Sequence, residues 1–258
     1  MTQLNAPIAH SARTGFVAGL LNGLIGIGGG IVIVPSMIAR GATPQQAVGT
    51  SLTAVVILSS MAFVAHAWHS GVALGTERFL VVIVLGVIGA LIGAWVLSKL
   101  SVKWMLLLFS ALVFCLSLRL IVQGLGIAGL EPIWPGAVNV YGYASVGLAS
   151  GILSGMFGVG GGALVVLSLA VLFGLSIHEG LPLALAVNVT NALVGAVRHT
   201  IAGRVRSNAV LTLIPAAIVG IAVGTTVALW LSADALRIVF GAFFCYMGMH
   251  IGRQGLRK

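Results

Sequence analysis

Long stretches without a charged side chain constrain this chain of 258 residues more than any other feature. Residues 79–97, 207–233 and 41–76 contain no Lys, Arg, Asp or Glu. Each stretch can form a helix that crosses a hydrocarbon core about 30 Å thick, which needs about 20 residues. Charged residues make up 7% of the chain, against about a quarter in soluble domains, so most of its surface must face lipid. The predicted fold is all-α, in a polytopic membrane protein.

About eight hydrophobic segments are predicted. They lie near residues 13–40, 45–67, 78–98, 102–123, 138–175, 181–201, 208–231 and 233–252, and glycines interrupt the first and the fifth. The 13 Lys and Arg residues stand singly between segments and form no basic stripe, so the net charge of +9 does not indicate a nucleic-acid partner. Acid, base and metal-ligating side chains form no convergent group, which argues against an enzyme acting on a lipid or quinone. We expect no catalytic residue, no metal and no cofactor.

The chain contains an internal repeat. Seven glycines recur 132 residues later, at Gly15, Gly19, Gly23, Gly26, Gly28, Gly29 and Gly30 and then at Gly147, Gly151, Gly155, Gly158, Gly160, Gly161 and Gly162. Gly89 and Gly93 recur 131 residues later, as Gly220 and Gly224. Between these stretches the register drifts by about seven residues, which aligns Ala47–Val48 with Ala186–Val187. We therefore predict a cytoplasmic tail at residues 1–12 and two homologous transmembrane repeats, at residues 13–130 and 131–258.

The glycines serve two purposes. A spacing of four, as in Gly15, Gly19 and Gly23, places small residues on one helix face and lets two helices approach closely in a membrane. The runs at 26–30 and 158–162 hold four glycines in five residues, which predicts a break in the helix. The break is either a re-entrant hairpin or a discontinuous helix that crosses once.

A broken helix at membrane depth must line a cavity or be buried against protein. The helix that resumes after the break begins with free N–H donors and the positive end of its dipole, which is a ready anion site. Paired breaks in two repeats also mark the binding sites of secondary transporters. A kink that only helps packing is the alternative.

These motifs resemble a known family. The sequences GLLNGLIGIGGGIVIVP and GLASGILSGMFGVGGGALVVL, followed by AVGTS and AVNVTN, are similar to those of the TauE/SafE sulfite exporter family, also called toluenesulfonate uptake permeases. The second motif departs from the first at Leu167, which stands where the first has Pro35. The resemblance implies a small secondary transporter of sulfite, sulfonates or related sulfur-containing anions, built from a duplicated four-segment unit.

Polar residues within the spans complete the predicted substrate site, since they are costly in hydrocarbon and usually face a cavity. Hydroxyl and amide groups can donate hydrogen bonds to an anion without a charge that would trap it. The candidates are Asn22, Gly28, Gly29, Gly30, Thr50, Ser51, Ser154, Gly160, Gly161, Gly162, Asn188, Thr190, Asn191, Arg198, His66 and His199. In the shifted register Thr50, Ser51 and Thr53 match Asn188, Thr190 and Asn191. Helix–helix hydrogen bonding is the alternative for the polar groups, and membrane-surface anchoring is the alternative for Arg198.

Lys and Arg residues set the predicted orientation. If each broken segment crosses once, the side holding both termini carries nine of them against four; if each is a hairpin, it carries ten against three. Both counts predict cytoplasmic termini in the cell inner (cytoplasmic) membrane. Single crossings make the repeats parallel and hairpins make them inverted, and the inverted arrangement is favoured because it gives two access states.

The expected partners are a small anionic substrate and membrane lipid, and the sequence leaves a homodimer open. Because no acidic residue lies within a span, an inside-negative potential would drive the anion outward without a coupled ion. The alternatives are an anion channel, or an uptake permease for a small carboxylate or sulfonate.

Overall fold

A computed structural model describes residues 8–70, 77–97, 102–127, 132–134, 140–157 and 160–256. Residues 1–7 of the predicted tail, Gly158 of the second glycine run, and Lys99, Arg257 and Lys258 lie outside the described residues. Every regular element in the described residues is an α-helix, which confirms the all-α prediction there. The helices are α1 Ile8–Ile25, α2 Gly30–Ile38, α3 Pro44–Ser70, α4 Glu77–Leu97, α5 Val102–Gly124, α6 Val140–Phe157, α7 Gly162–Phe173, α8 Ile177–Ile201, α9 Ser207–Trp230 and α10 Ala233–Leu256.

Five of these helices are long and apolar enough to cross a membrane within the described residues. Their apolar spans are Pro44–Trp68, Leu107–Gly124, Ile177–Ile201, Ser207–Trp230 and Ala233–Arg253. Shorter apolar stretches occupy Phe79–Gly93 of α4 and Gly162–Phe173 of α7. A chain with several such helices is a multi-pass membrane protein.

Helix α8 begins at Ile177, four residues before the predicted start. The hydroxyl of Ser176 accepts the N–H of Glu179, and the Glu179 carboxylate accepts the N–H of Ser176, a reciprocal capping box. These side chains satisfy two donors that would otherwise lack acceptors at the helix start. Pro182 then lies inside the helix. The prediction placed the helix start beside this proline and missed the serine–glutamate signal before it.

Helices α1 and α2 form a hairpin. Arg40, which follows α2, donates to the hydroxyl of Thr14 at 3.0 Å and to that of Ser11 at 3.4 Å, both near the start of α1. The hydroxyls of Thr14 and Ser36 also lie 2.9 Å apart. The chain therefore leaves this helix pair at the end where it entered.

The chain enters and leaves the α6–α7 pair at neighbouring points. The N–H of Trp134, before α6, donates to the carbonyl of Leu172 near the end of α7 at 2.9 Å. The rings of Trp134 and Phe173 lie 5.9 Å apart between centroids. Helix α7 is buried on most of its surface, which explains why its sequence is apolar all round.

Four helix pairs form the bundle: α1 with α9, α4 with α6, α3 with α8, and α5 with α10. Glycines line the first two pairs, whose helices run parallel, because the contacts rise together along both chains. The contacts that set this direction are Gly15 with Leu213, Gly19 with Ala217, Gly23 with Ile221, Gly147 with Val82 and Gly151 with Gly86.

The other two pairs run antiparallel. In the α3–α8 pair Gly49 lies against His199, while Leu52 lies against Gly195. In the α5–α10 pair, Gly124 lies against Asp234 at one end and Gly252 against Ser110 at the other. The glycines spaced at intervals of four thus act at helix–helix contacts, as the sequence predicts.

Candidate anion site at the two glycine segments

The first glycine segment, residues 26–29, separates α1 from α2. Gly26, Gly28 and Gly29 have φ values of +70°, +81° and +73°, in the left-handed region that favours glycine. Gly29 is the N-cap of α2 and offers no side chain to cap it. The first N–H groups of α2 therefore have no acceptor within their own helix.

The second glycine segment, described from Gly160 to Gly161, precedes α7 in the same way. Gly160 and Gly161 have φ values of +86° and +82°, and α7 begins at Gly162. Here the N–H of Gly162 donates to the Asn188 side-chain oxygen at 2.8 Å. The start of α7 thus has an acceptor that α8 supplies.

Asn188 connects the two segments. Its side-chain oxygen accepts the N–H of Gly162, and its amide nitrogen donates to the carbonyl of Gly26 at 2.5 Å. The side chain is fully buried. A single amide therefore joins the breaks of both halves, which are far apart in sequence.

Asn22 lies beside the first glycine segment. Its side-chain oxygen accepts the N–H of Gly28 at 2.6 Å and the hydroxyl of Ser59 at 3.4 Å. The residue is 0% exposed, and its amide nitrogen has no hydrogen-bond partner among the described residues. A buried donor without an acceptor is costly, so this nitrogen is suited to bind a ligand that brings an acceptor.

One face of α3 covers the first glycine segment. Ser51, Val55 and Ser59 recur at intervals of four, so they lie on the same side of the helix. A Cβ placed on Gly28 would lie 2.8 Å from Val55, and one on Gly30 would lie 3.3 Å from the Ser51 hydroxyl. Ser59 was not among the predicted site residues, and its spacing of eight from Ser51 is the signal that could have found it.

Asn191 and Ser154 lie beside the second glycine segment. The Asn191 amide nitrogen donates to the carbonyl of Gly160 at 3.1 Å. Its side-chain oxygen is buried without a partner in the described part of the chain. A Cβ on Gly161 would lie 3.0 Å from the Cβ of Ser154. These predicted residues therefore gather at the second glycine segment.

His66 lies at the other side of the first break. The His66 Nε2 is 2.7 Å from the carbonyl of Gly23, near the end of α1. A carbonyl only accepts, so the ring must donate from Nε2. His66 is buried, and it satisfies a carbonyl that has no partner within α1.

Four predicted residues make other contacts. The Thr50 hydroxyl accepts the backbone N–H of Arg206 at 3.0 Å, and the Thr190 hydroxyl donates to carbonyls of its own helix. Arg198 is exposed, and the half-buried His199 packs against Gly49. Their contacts with the glycine segments stay a prediction.

The predicted drift in register was wrong around the site. Gly28 contacts Val55, and its repeat partner Gly160 contacts Asn188, which lies 133 residues after Val55. This offset is close to the 132 of the glycines, so Val55 is the counterpart of Asn188. The two halves therefore differ here: an apolar side chain in the first half stands where the second half has the connecting amide.

The site contains no fixed cation near the breaks. Residues 14–39, 41–77 and 120–197 contain neither Lys nor Arg, so the positive groups available are N–H donors and helix dipoles. Such a site can hold an anion by hydrogen bonds while leaving it free to move on.

Comparisons with known proteins agree with this arrangement. The family model described as sulfite exporter TauE/SafE matches residues 12–251. A "Probable membrane transporter protein YunE" of Bacillus subtilis (strain 168) is 27% identical over 94% of this chain and 96% of its own length. A "Probable membrane transporter protein" of Xylella fastidiosa (strain Temecula1) is 31% identical over 59% of each chain. No solved structure matches the chain significantly.

Proposed function

Because this chain belongs to the TauE/SafE sulfite exporter family, we propose that it is a secondary transporter that exports sulfite, an organosulfonate or a related small sulfur-containing anion. It is a membrane transporter by family, and the substrate and direction are the proposed part. The anion is held between the two glycine segments of the cytoplasmic membrane protein.

The observation that carries this proposal is the meeting of both glycine segments around buried amides. Asn188 holds the two breaks together, and Asn22 keeps an unpartnered N–H₂ donor beside the start of α2. A helix start and a buried donor without an acceptor both favour a negatively charged ligand. A kink that served packing alone would not need that donor.

The helix contacts support an inverted repeat. Shifting each residue into the other half turns the Gly19–Ala217 contact of α1 and α9 into the Gly151–Gly86 contact of α6 and α4. The helices that correspond in the two halves, α3 with α8 and α5 with α10, run antiparallel. Rotation about an axis along the membrane normal cannot reverse a helix, so the symmetry axis must lie in the membrane plane.

The hairpin of α1 and α2 favours the topology with ten Lys and Arg residues on the side of the termini and three on the other. We place that side in the cytoplasm. Arg40, Arg198, Arg204 and Arg206 then surround the inner mouth of the bundle, where they attract anions from the cytoplasm. Inverted halves around one site give inward- and outward-open states by an exchange of conformations.

Export needs no coupled ion in this scheme. The chain has four acidic residues, and those described, Glu77, Glu179 and Asp234, lie at helix starts and not inside spans. A membrane potential negative inside drives an anion outward by about 2.3 kcal/mol per charge per 100 mV. We therefore propose electrogenic uniport.

Reconstituted vesicles test the proposal. Sulfite flux through the full chain should saturate with concentration, show counterflow and follow an imposed potential. Asn22→Ala should abolish flux, while Asn208→Ala, at an exposed position near the start of α9, should leave it unchanged. Flux that ignores the potential and requires a pH gradient would refute uniport, and flux that does not saturate would favour the channel alternative.

A further inference from the structure

We propose that the site binds its substrate as a singly charged anion and discriminates against doubly charged ones. This inference rests on the proposed function and adds the charge state of the substrate. It follows from how many positive groups face the glycine segments and from what each of them already binds.

The charged side chains near the site are engaged or remote. Arg40 donates to Ser11 and Thr14 at the base of the first hairpin. Arg206 donates through its side chain to Gln46 at 2.7 Å and through its backbone to Thr50. The helices that surround the first glycine segment contribute no other Lys or Arg between residues 14 and 77. The ligand must therefore be neutralised by neutral donors.

The donors are also unequal in the two halves. At the start of α7, the N–H of Gly162 is taken by Asn188. At the start of α2 the side-chain cap is missing, and the amide nitrogen of the fully buried Asn22 lacks a partner among the described residues. The free donors thus lie on the first-half side, which provides a place for one anion.

The dipoles of these helices match a single charge. Each helix start is equivalent to roughly +0.5 of an elementary charge, so α2 and α7 together offset about one negative charge. A doubly charged anion would keep about one charge uncompensated in a buried environment. The cost of dehydrating an ion also grows with the square of its charge, so a second charge raises the penalty faster than neutral donors can repay it.

Three anions separate the possibilities. Methanesulfonate carries one charge at every accessible pH, sulfate carries two, and sulfite changes from one to two near neutral pH. His66 is the titratable side chain that α3 places beside the first break, and α1, α2, α7 and α8 add no charged residue at the glycine segments. Methanesulfonate therefore reports any effect of His66 titration, whereas sulfite also reports its own charge.

The experiment measures anion binding to the purified full chain by thermal stabilisation and calorimetry, at mildly acidic and mildly alkaline pH. We expect methanesulfonate to bind at least about tenfold more tightly than sulfate, a factor that corresponds to ~1.4 kcal/mol. Sulfite affinity should rise as the pH falls, while methanesulfonate affinity stays constant. Asn22→Leu should lose methanesulfonate binding, and Asn208→Leu should keep it, both judged against their melting temperatures without ligand.

Each outcome is decisive. Equal affinity for sulfate and methanesulfonate would overturn the charge-state inference and leave the anion site standing. A parallel change of sulfite and methanesulfonate affinity with pH would assign the effect to the protein and also overturn the inference. Binding of none of the three would refute the proposed function itself.

Discussion

The contact between α4 and α6 predicts opposite effects for two glycines that touch each other. A Cβ on Gly151 would lie 2.8 Å from the carbonyl carbon of Gly86 and closer still to its oxygen. A Cβ on Gly86 points elsewhere: its nearest neighbours would be Val187 at 3.7 Å and the Asn191 side-chain oxygen at 3.8 Å, which is ordinary contact. Gly151→Ala should therefore destabilise the protein, and Gly86→Ala should not.

The magnitude follows from the geometry. Backbone atoms cannot rotate away, so α4 and α6 would have to separate by roughly 1 Å, and overpacking of this kind costs about 1–3 kcal/mol. For a chain of this size each kcal/mol shifts the melting temperature by about 2–4 °C, so Gly151→Ala should lower it by roughly 2–12 °C. Gly86→Ala should leave it unchanged or raise it slightly, since alanine favours helix over glycine by about 1 kcal/mol.

The other half provides an internal control. Ala217 corresponds to Gly86 in the repeat, and α9 carries this alanine while Gly19 of α1 packs on it. The assay is thermal unfolding of both variants in the same detergent, followed by fluorescence-detected size exclusion. A Gly86→Ala variant that melts as low as Gly151→Ala, or a Gly151→Ala variant as stable as the parent, would refute the assigned contacts.

Three further predictions follow from single contacts. Thr14→Cys with Ser36→Cys, in a chain whose two native cysteines are replaced by serine, should form an oxidised cross-link visible on a gel, and failure of both spontaneous and reagent-bridged cross-linking would contradict the α1–α2 hairpin. Asn188→Val, which copies the first-half residue, should leave two backbone groups unpaired at about 1–3 kcal/mol each and abolish anion-dependent stabilisation, measured by melting with and without methanesulfonate; unchanged melting would refute the connection between the segments. Ser176→Ala should cost about 1 kcal/mol by loss of the cap on α8 while transport remains, and loss of transport at unchanged stability would contradict a purely capping role.

The sequence located most helices because their signals are local. The predicted segments at 102–123, 208–231 and 233–252 match α5, α9 and α10 within a few residues, since charged residues and tryptophans bound them. The start of α8 was misplaced because the cap that opens it depends on two polar residues, and an apolar window does not register them. The glycine runs were recognised as breaks, and the structure places non-helical residues there.

The candidate site was predicted in part. Asn22, Asn188 and Asn191 do lie beside the glycine segments. Their roles were not predictable, because whether an amide is already bonded on both sides depends on which backbone groups come near it. Asn188 is saturated by the two breaks it joins, whereas the Asn22 nitrogen remains without a described partner. Thr190 was selected for its polarity, yet its hydroxyl bonds to its own helix.

The sequence by itself determined that this chain belongs in a membrane, that its halves repeat and that each half has a glycine-rich break, because charge depletion and glycine spacing act through the local backbone and its solvent. The tertiary structure alone decided that α2 turns back along α1, that Val55 and not Gly49 corresponds to Asn188, and that one amide joins both breaks. These features depend on distances between residues up to 162 positions apart, such as Gly26 and Asn188. Packing fixes such distances, and no local pattern in the sequence encodes them.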